Sequence, residues 1–458
     1  MNKMVNHPLH SLECSLKRAL VLSGFSLSDD ARSPEVVPPE WDLPLAKFAS
    51  TPPQTIKLEQ GYFILRTNLL ANQLEKWKAP LPLKMFAAGT LYDGNDQNRP
   101  DHRRIQGIWA DGSVPTFAWL RVWDSVIREV FGLGASFNFA IETKDCRRVD
   151  VTVDGRTFAL AHVARATGVT FGLLRLDPTK TAMWMFDIDI DSVACGFYGI
   201  ENREELYSTR LPFLRRFEDS KLGYGSYFLD RACDLLRKRG FVNYYGSRFY
   251  EADCYQKMHM IQDGWDTNND GMRLVEPIGA KVWLPTVLTP SLQEALSENA
   301  RAGEESCYLF EVAHTILPYS DSMKDFRERN MNSKYDSERE PRKQTDKPPR
   351  ESITLAFGAY DDQLTEEKWT AIVSDFLDEF GIREHYYLDT ARAIAYELTC
   401  KIVINDKMQM LGGNFGAIHP EARKNFGIDK PAFMANIAFE PLEREAAMEM
   451  IFVPIEYR

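Results

Sequence analysis

The chain repeats itself, and this constrains its fold more than any other feature. Ile64-Leu65-Arg66-Thr67-Asn68-Leu69-Leu70 runs on to Phe86-Ala87-Ala88-Gly89-Thr90-Leu91, and Leu284-Pro285-Thr286-Val287-Leu288-Thr289-Pro290 runs on to Phe310-Glu311-Val312-Ala313-His314-Thr315. Each reads as a small polar opening, a helix and an apolar strand. Amphipathic helices over Phe117–Phe131 and Glu366–Phe380 extend the correspondence, with the endings Phe131-Gly132-Leu133 and Phe380-Gly381-Ile382. Upstream, a first helix stopping at Gly24-Phe25 is echoed by a helix from Tyr227 that stops at Gly240-Phe241; glycine suits a helix end because it tolerates a left-handed backbone. The offset between the copies grows along the chain, as an inserted loop requires. Residues 318–350, dense in charge, Ser, Asn and Pro, are predicted to be that loop and to be disordered. Two modules follow, 1–218 and 219–458, as expected for 458 residues, more than one core usually supports.

Within the first module, apolar runs at Leu83–Leu91 and Ile105–Ala110 flank a polar loop and predict an antiparallel pair. Val149–Val153 and Thr157–Leu160 flank Asp154-Gly155, a strong hairpin signal, and Met183–Ile190 reads as a buried strand. The predicted class is α+β, each module an antiparallel sheet flanked by helices. Hydrophobic content of 44% with 26% charged residues fits a soluble globular chain. A net charge of -11 argues against coating a polyanion. The seven cysteines form no CxxC pair, which fits a reducing cytoplasm. Neither a signal peptide nor a membrane-spanning run is visible.

In this order, the segments resemble phenylalanyl-tRNA synthetase, with its two subunits fused. His7-Pro8-Leu9 and the helix after it resemble motif 1 of class II synthetases, Leu65-Arg66-Thr67 resembles the α subunit's Leu-Arg-Thr-His, and Ala87–Asp111 covers its motif 2 hairpin. Phe186–Ser192 with Leu211–Phe217 covers motif 3. The second module resembles the core of the β subunit, a catalytically silent copy of the fold, through Leu292–Arg301, Leu309-Phe310-Glu311-Val312, Gly416-Ala417-Ile418-His419-Pro420-Glu421 and Phe426-Gly427-Ile428.

The resemblance implies an active site whose necessary groups have been replaced. Class II activation places an arginine on motif 2 against the α-phosphate and another on motif 3 against the triphosphate. The family's Gly-Arg-Val-Tyr-Arg stands at Gly89-Thr90-Leu91-Tyr92-Asp93, and its Phe-Gly-Met-Gly-Ile-Glu-Arg at Phe186-Asp187-Ile188-Asp189-Ile190-Asp191-Ser192. Asp93 and Ser192 therefore occupy the arginine positions. Along a strand, Asp187, Asp189 and Asp191 would face one side, where nucleotide would lie. The family's Phe-His-Gln-x-Glu-Gly stands at His102-Arg103-Arg104-Ile105-Gln106-Gly107, and Arg148 takes the place of the glutamate before Val-Asp-Val. Arg103, Arg104 and Arg148, with Gln106 and Asp150, are expected to converge on an anion-accepting pocket. His102 and His162 lie far from any second His or Cys at ligand spacing, so no metal site is predicted.

The expected function is that of a pseudo-enzyme: a synthetase paralogue that has lost tRNA aminoacylation and standard ATP-dependent adenylation and binds an anionic or amino-acid-like small molecule, or a partner. The alternative is a ligase that activates a carboxylate with ATP and Mg²⁺, using Arg99, Arg103 and Arg104 in place of the missing pair. No catalytic residue is assigned. The family's coiled-coil and RNA-binding domains have no counterpart among these segments, so tRNA is not an expected partner; nor is a membrane. A homodimer is left open.

Overall fold

Apolar strand segments build two sheets of the same design. A computed structural model describes residues 7–28, 34–48, 53–59, 62–114, 116–217, 227–260, 271–317, 348–382, 386–390, 396–405 and 410–446. The first sheet contains β1 (Ser26–Leu27), β2 (Leu83–Tyr92), β3 (Asp101–Asp111), β4 (Ser136–Ile141), β5 (Cys146–Val153), β6 (Arg156–Arg165) and β7 (Ala182–Asp189), in the order β1-β2-β3-β7-β6-β5-β4. The second contains β8 (Val242–Asn243), β9 (Cys307–Leu317), β10 (Arg350–Tyr360), β11 (Tyr386–Thr390), β12 (Tyr396–Asn405), β13 (Met410–Ile418) and β14 (Ala432–Ala438), in the order β8-β9-β10-β14-β13-β12-β11. Each strand of one sheet thus has a counterpart in the other. Pairing is antiparallel except at β1 and β8, short edge strands that run parallel to β2 and β9.

One face of the first sheet is closed by the helices Pro8–Leu22, Thr116–Phe131 and Ile190–Tyr198. Leu9, Leu12, Leu16 and Leu20 recur at helical spacing and bury against Trp119, Trp123 and the sheet residues Phe86, Ile105 and Phe186. Gly107 is required here: a Cβ at that position would stand 2.2 Å from the Phe186 ring. On the second sheet Phe310, Phe357 and Phe433 pack with Trp369, Phe376 and Phe380 in the same way. The helix ends expected at Gly24, Gly132, Gly240 and Gly381 all have positive φ, as does the Asp154-Gly155 turn. Two elements had no clear sequence signal: β4, and a three-stranded sheet of Tyr250–Glu251, Lys281–Leu284 and Met272–Ile278.

That small sheet helps join the two halves. Val36, Leu58, Leu65 and Tyr92 pack with Phe249, Met272, Leu274 and Ile316 in a single buried cluster. Beside it lies a charged knot. The backbone N–H groups of Glu35 and Val36 donate to the Glu351 carboxylate at 2.8 Å each, and the buried Glu35 carboxylate receives the Tyr92 hydroxyl at 2.6 Å and Arg248 Nη2 at 2.9 Å. Burial alone would raise the Glu35 pKa, but Arg248, His314 and Arg66, with the Tyr92 hydroxyl, hold it well below the ordinary carboxylate range.

The expected module boundary near 218 falls in residues 218–226, outside the described residues, as does 318–347 of the expected disordered insertion. Arg350 does not belong to that insertion, because β10 starts there and pairs with Leu317. Among the described residues no helix is long and apolar enough to cross a membrane.

Removing one member of a buried ion pair leaves the other uncompensated. Arg248→Met should therefore lower the unfolding free energy by about 3–5 kcal/mol at pH 7. The native Glu35 pKa is depressed, so its ionised form stabilises above its ordinary 4.5 and that stability is lost as pH falls. The wild-type advantage should shrink below about pH 4.5, where a proton neutralises Glu35 in the variant. Urea unfolding at pH 7 and pH 4 checks this, and an equal difference at both would contradict it.

Candidate functional site

The open face of the first sheet presents a row of polar residues, fixed by strand register. Gln106 on β3 lies opposite Asp187 on β7, Asp187 opposite His162 on β6, and His162 opposite Arg148 on β5. Residues in register share a face, so this row lies on the side away from the Phe186 core.

At its β3–β7 end the row borders a cavity of about 740 Å³, lined by Asp42, Lys47, Thr67, Asn68, Asp93, His102, Arg104, Gln106 and Asp187, among others. Several of these are fixed by hydrogen bonds. Gln106 Oε1 accepts from the Leu69 N–H at 2.9 Å. Asp42 accepts from the hydroxyls of Thr55 and Thr67. Asp93 Oδ1 caps its own loop, accepting from the Gln54 and Asn95 N–H groups at 2.8 and 2.9 Å. Burial, with the nearby Arg203 and Arg104, pushes the His102 pKa below its ordinary value.

The three arginines do not converge as expected. Arg104 borders the cavity, but its guanidinium is taken up by Asp187 at 2.7 Å and Asp189 at 3.1 Å. Arg103 is one residue away on the strand and so points to the opposite face, where its Nε donates to Glu13 of the first helix at 3.0 Å. Arg148 lies two strands beyond Asp187, half-exposed, and donates to Asp150 at 2.7 and 3.1 Å. An anion pocket made by all three is therefore excluded by the pleat and the strand order.

Nor do the three aspartates share a strand face. The strand stops at Asp189, whose side chain accepts from the exposed Ser192 N–H at 3.1 Å and caps the helix Ile190–Tyr198. Asp191 is thereby rotated into the helix and fully buried. There it receives Arg203 Nη2 at 2.7 Å and the Tyr207 hydroxyl at 2.8 Å, while Arg203 Nη1 reaches Asp96 at 2.7 Å. Burial, aided by Asp189, pushes the Asp191 pKa up to about 6 despite Arg203; its Oδ1 receives no hydrogen bond, as is also true of Asp187 Oδ1. For Asp189 the balance is reversed: burial acts upward, but Arg104 and the Ser192 N–H bring its pKa below the ordinary value.

Arg203, Asp42 and Lys47 carry no motif signal in the sequence. Arg203 begins a short 3₁₀ turn, Arg203–Tyr207, and Asp42 and Lys47 lie in a proline-rich connection without periodicity. Thr67 carried a signal, since it belongs to the Leu-Arg-Thr phrase.

Comparison with known proteins agrees with the family read from these motifs. Residues 219–439 match the family model described as the phenylalanyl tRNA synthetase beta chain CLM domain. The phenylalanine–tRNA ligase beta subunit of Geobacter sulfurreducens is 24% identical over 315 residues, covering 65% of this chain and 35% of that protein. Its Clostridium tetani counterpart is 22% identical over 223 residues, covering 48% and 24%. The chain thus spans about a third or less of the length of these relatives. Among solved structures, pyrrolysyl-tRNA synthetase from Desulfitobacterium hafniense aligns at a TM-score of 0.34 and 15% identity, over 44% of this chain and 73% of that one.

The Asp191–Arg203 pair is testable through its pH dependence. The native Asp191 pKa lies above its ordinary 3.8, so the group favours the folded state at low pH, and its cost is fully felt above about pH 6. Arg203→Met should cost about 3 kcal/mol at pH 8 and clearly less at pH 5, where a proton replaces the guanidinium. Urea unfolding at the two pH values measures this, and a pH-independent loss would show that charge pairing is not what Arg203 supplies.

Proposed function

From the premise that the chain is a phenylalanyl-tRNA synthetase-like protein of class II, we propose that it has lost adenylation and tRNA aminoacylation and binds a small amino-acid-like molecule in the first module's cavity. The observation that carries this is the cavity itself: it persists at about 740 Å³, yet Asp42, Asp93 and Asp187 outnumber the cations Lys47 and Arg104 on its wall. The guanidinium of Arg104 is moreover already matched by Asp187 and Asp189. Such a wall favours a ligand with an ammonium group over a purely anionic one.

The same balance opposes a triphosphate. Asp93 and Ser192 stand where the family's motif arginines would, and a phosphate charge placed about 4 Å from a carboxylate there meets a repulsion of roughly 4 kcal/mol at an effective dielectric of 20, in place of a comparable attraction. The ligase reading requires Arg99, Arg103 or Arg104 to replace the missing arginines. Each is engaged: Arg99 with Asp101 at 3.1 Å and stacked over the Tyr207 ring at 3.5 Å, Arg103 with Glu13, and Arg104 as above.

The two matching strand orders support an internal duplication, with the first module, 1–218, as the ligand-binding copy and the second, 219–458, as the silent one. We place the protein in the cytoplasm and acting without tRNA.

Calorimetry on the full chain with phenylalanine, phenethylamine and N-acetylphenylalanine tests the reading. The two amines should bind and the N-acetylated compound should not. Asp187→Asn should weaken amine binding by about 1.5–3 kcal/mol, roughly ten- to a hundredfold, as for loss of a charged hydrogen bond. Amino-acid-dependent exchange of pyrophosphate into ATP would overturn the loss of adenylation.

A further inference from the structure

The polar row continues past Asp187 to a cluster that the cavity does not use. The β5–β6 hairpin sets His162 opposite Arg148, and Cys146 two residues along β5 on the same face; Glu142 follows the end of β4, which pairs with β5. Residues distant in sequence are thereby brought together. Glu142 Oε2 lies 2.9 Å from His162 Nδ1 and 3.6 Å from Cys146 Sγ. All three donor atoms fall within 4.8 Å of one another. This overturns the expectation that His162 has no cysteine within ligand reach.

We propose that Glu142, Cys146 and His162 bind a zinc ion, independently of the ligand assigned to the cavity. Thiolate, imidazole and carboxylate are the three ligand types zinc takes. With Zn–S about 2.3 Å and Zn–N and Zn–O about 2.0–2.1 Å, a tetrahedral ion holds its ligand atoms roughly 3.3–3.7 Å apart. The observed spacings need only small side-chain adjustments to reach that. Exposure is graded across the cluster: Cys146 is buried, while the Glu142 and His162 side chains are 18% and 28% exposed. One side is closed by protein and the other left open, the arrangement of three protein ligands with a fourth position for water or a ligand atom.

The neighbours fit this role. Arg148 Nη1 donates to Glu142 Oε1 at 3.4 Å, leaving Oε2 for the metal, and Asp150 neutralises the guanidinium that would otherwise repel a cation. Arg148 and Asp150 are thus positioning residues for a metal ligand. Binding deprotonates the Cys146 thiol, forming the sulfur–zinc bond and releasing one proton to solvent, so affinity rises with pH.

The test uses the purified full chain, stripped with chelator and titrated with Co²⁺ and then Zn²⁺. One equivalent should bind, cobalt should give a thiolate-to-metal charge-transfer band, and zinc should abolish it by displacement. Cys146→Ser should lose the band. His162→Gln, at a partly exposed position, should keep the wild-type circular dichroism while lowering zinc affinity by more than the roughly ten- to hundredfold typical of losing a supporting residue. Absence of the band in the wild-type chain, or unchanged zinc affinity in both variants, would overturn the proposal.

Discussion

The buried Glu35 carboxylate is the point on which the two halves of the molecule depend. Its charge is matched by Arg248 from the second half and by the Tyr92 hydroxyl from the end of β2, and the adjoining backbone is held by Glu351 on β10. A buried pair of this kind contributes little net stability compared with an apolar substitute, but misalignment leaves an unpaired charge, so it fixes how its surroundings dock. The nonpolar cluster of Val36, Leu65, Phe249 and Leu274 supplies the attraction, and the knot supplies the register.

A similar economy shapes the end of β7 and the helix that follows it. Arg104 and Arg203 sit among Asp187, Asp189 and Asp191, and every guanidinium contact described there goes to a carboxylate or carbonyl of the chain itself. A site that handles a triphosphate leaves its cations available, because they must meet charge that arrives with the substrate. Here they meet charge that is always present. What remains unmatched is acceptor capacity, as the Oδ1 atoms of Asp187 and Asp191 show.

Much of the architecture was legible because it rests on local rules. Apolar runs marked β2, β3 and β7, the Asp154-Gly155 turn marked the β5–β6 hairpin, and the glycines at 24, 132, 240 and 381 marked helix ends through their left-handed backbone. The site was less legible because it depends on which face a residue takes and how far apart strands lie. Arg103 and Arg104 are neighbours in sequence and face opposite sides of the sheet. Asp191 left the strand pattern because Asp189 caps a helix that begins at Ile190. Cys146 and His162 meet only through a hairpin, and Arg203 belongs to a turn too short for any periodicity.

The pairing of β9 with β10 has a wider consequence. Leu317 is opposite Arg350, and the register continues without a break to Cys307 opposite Tyr360. The sheet is therefore complete on either side of the segment between them, whose ends are already brought together. Loop-closure entropy grows only slowly with length, by about 0.6 kcal/mol per doubling. In closure entropy, the pairing of β9 with β10 is consequently almost indifferent to how many residues join Leu317 to Arg350.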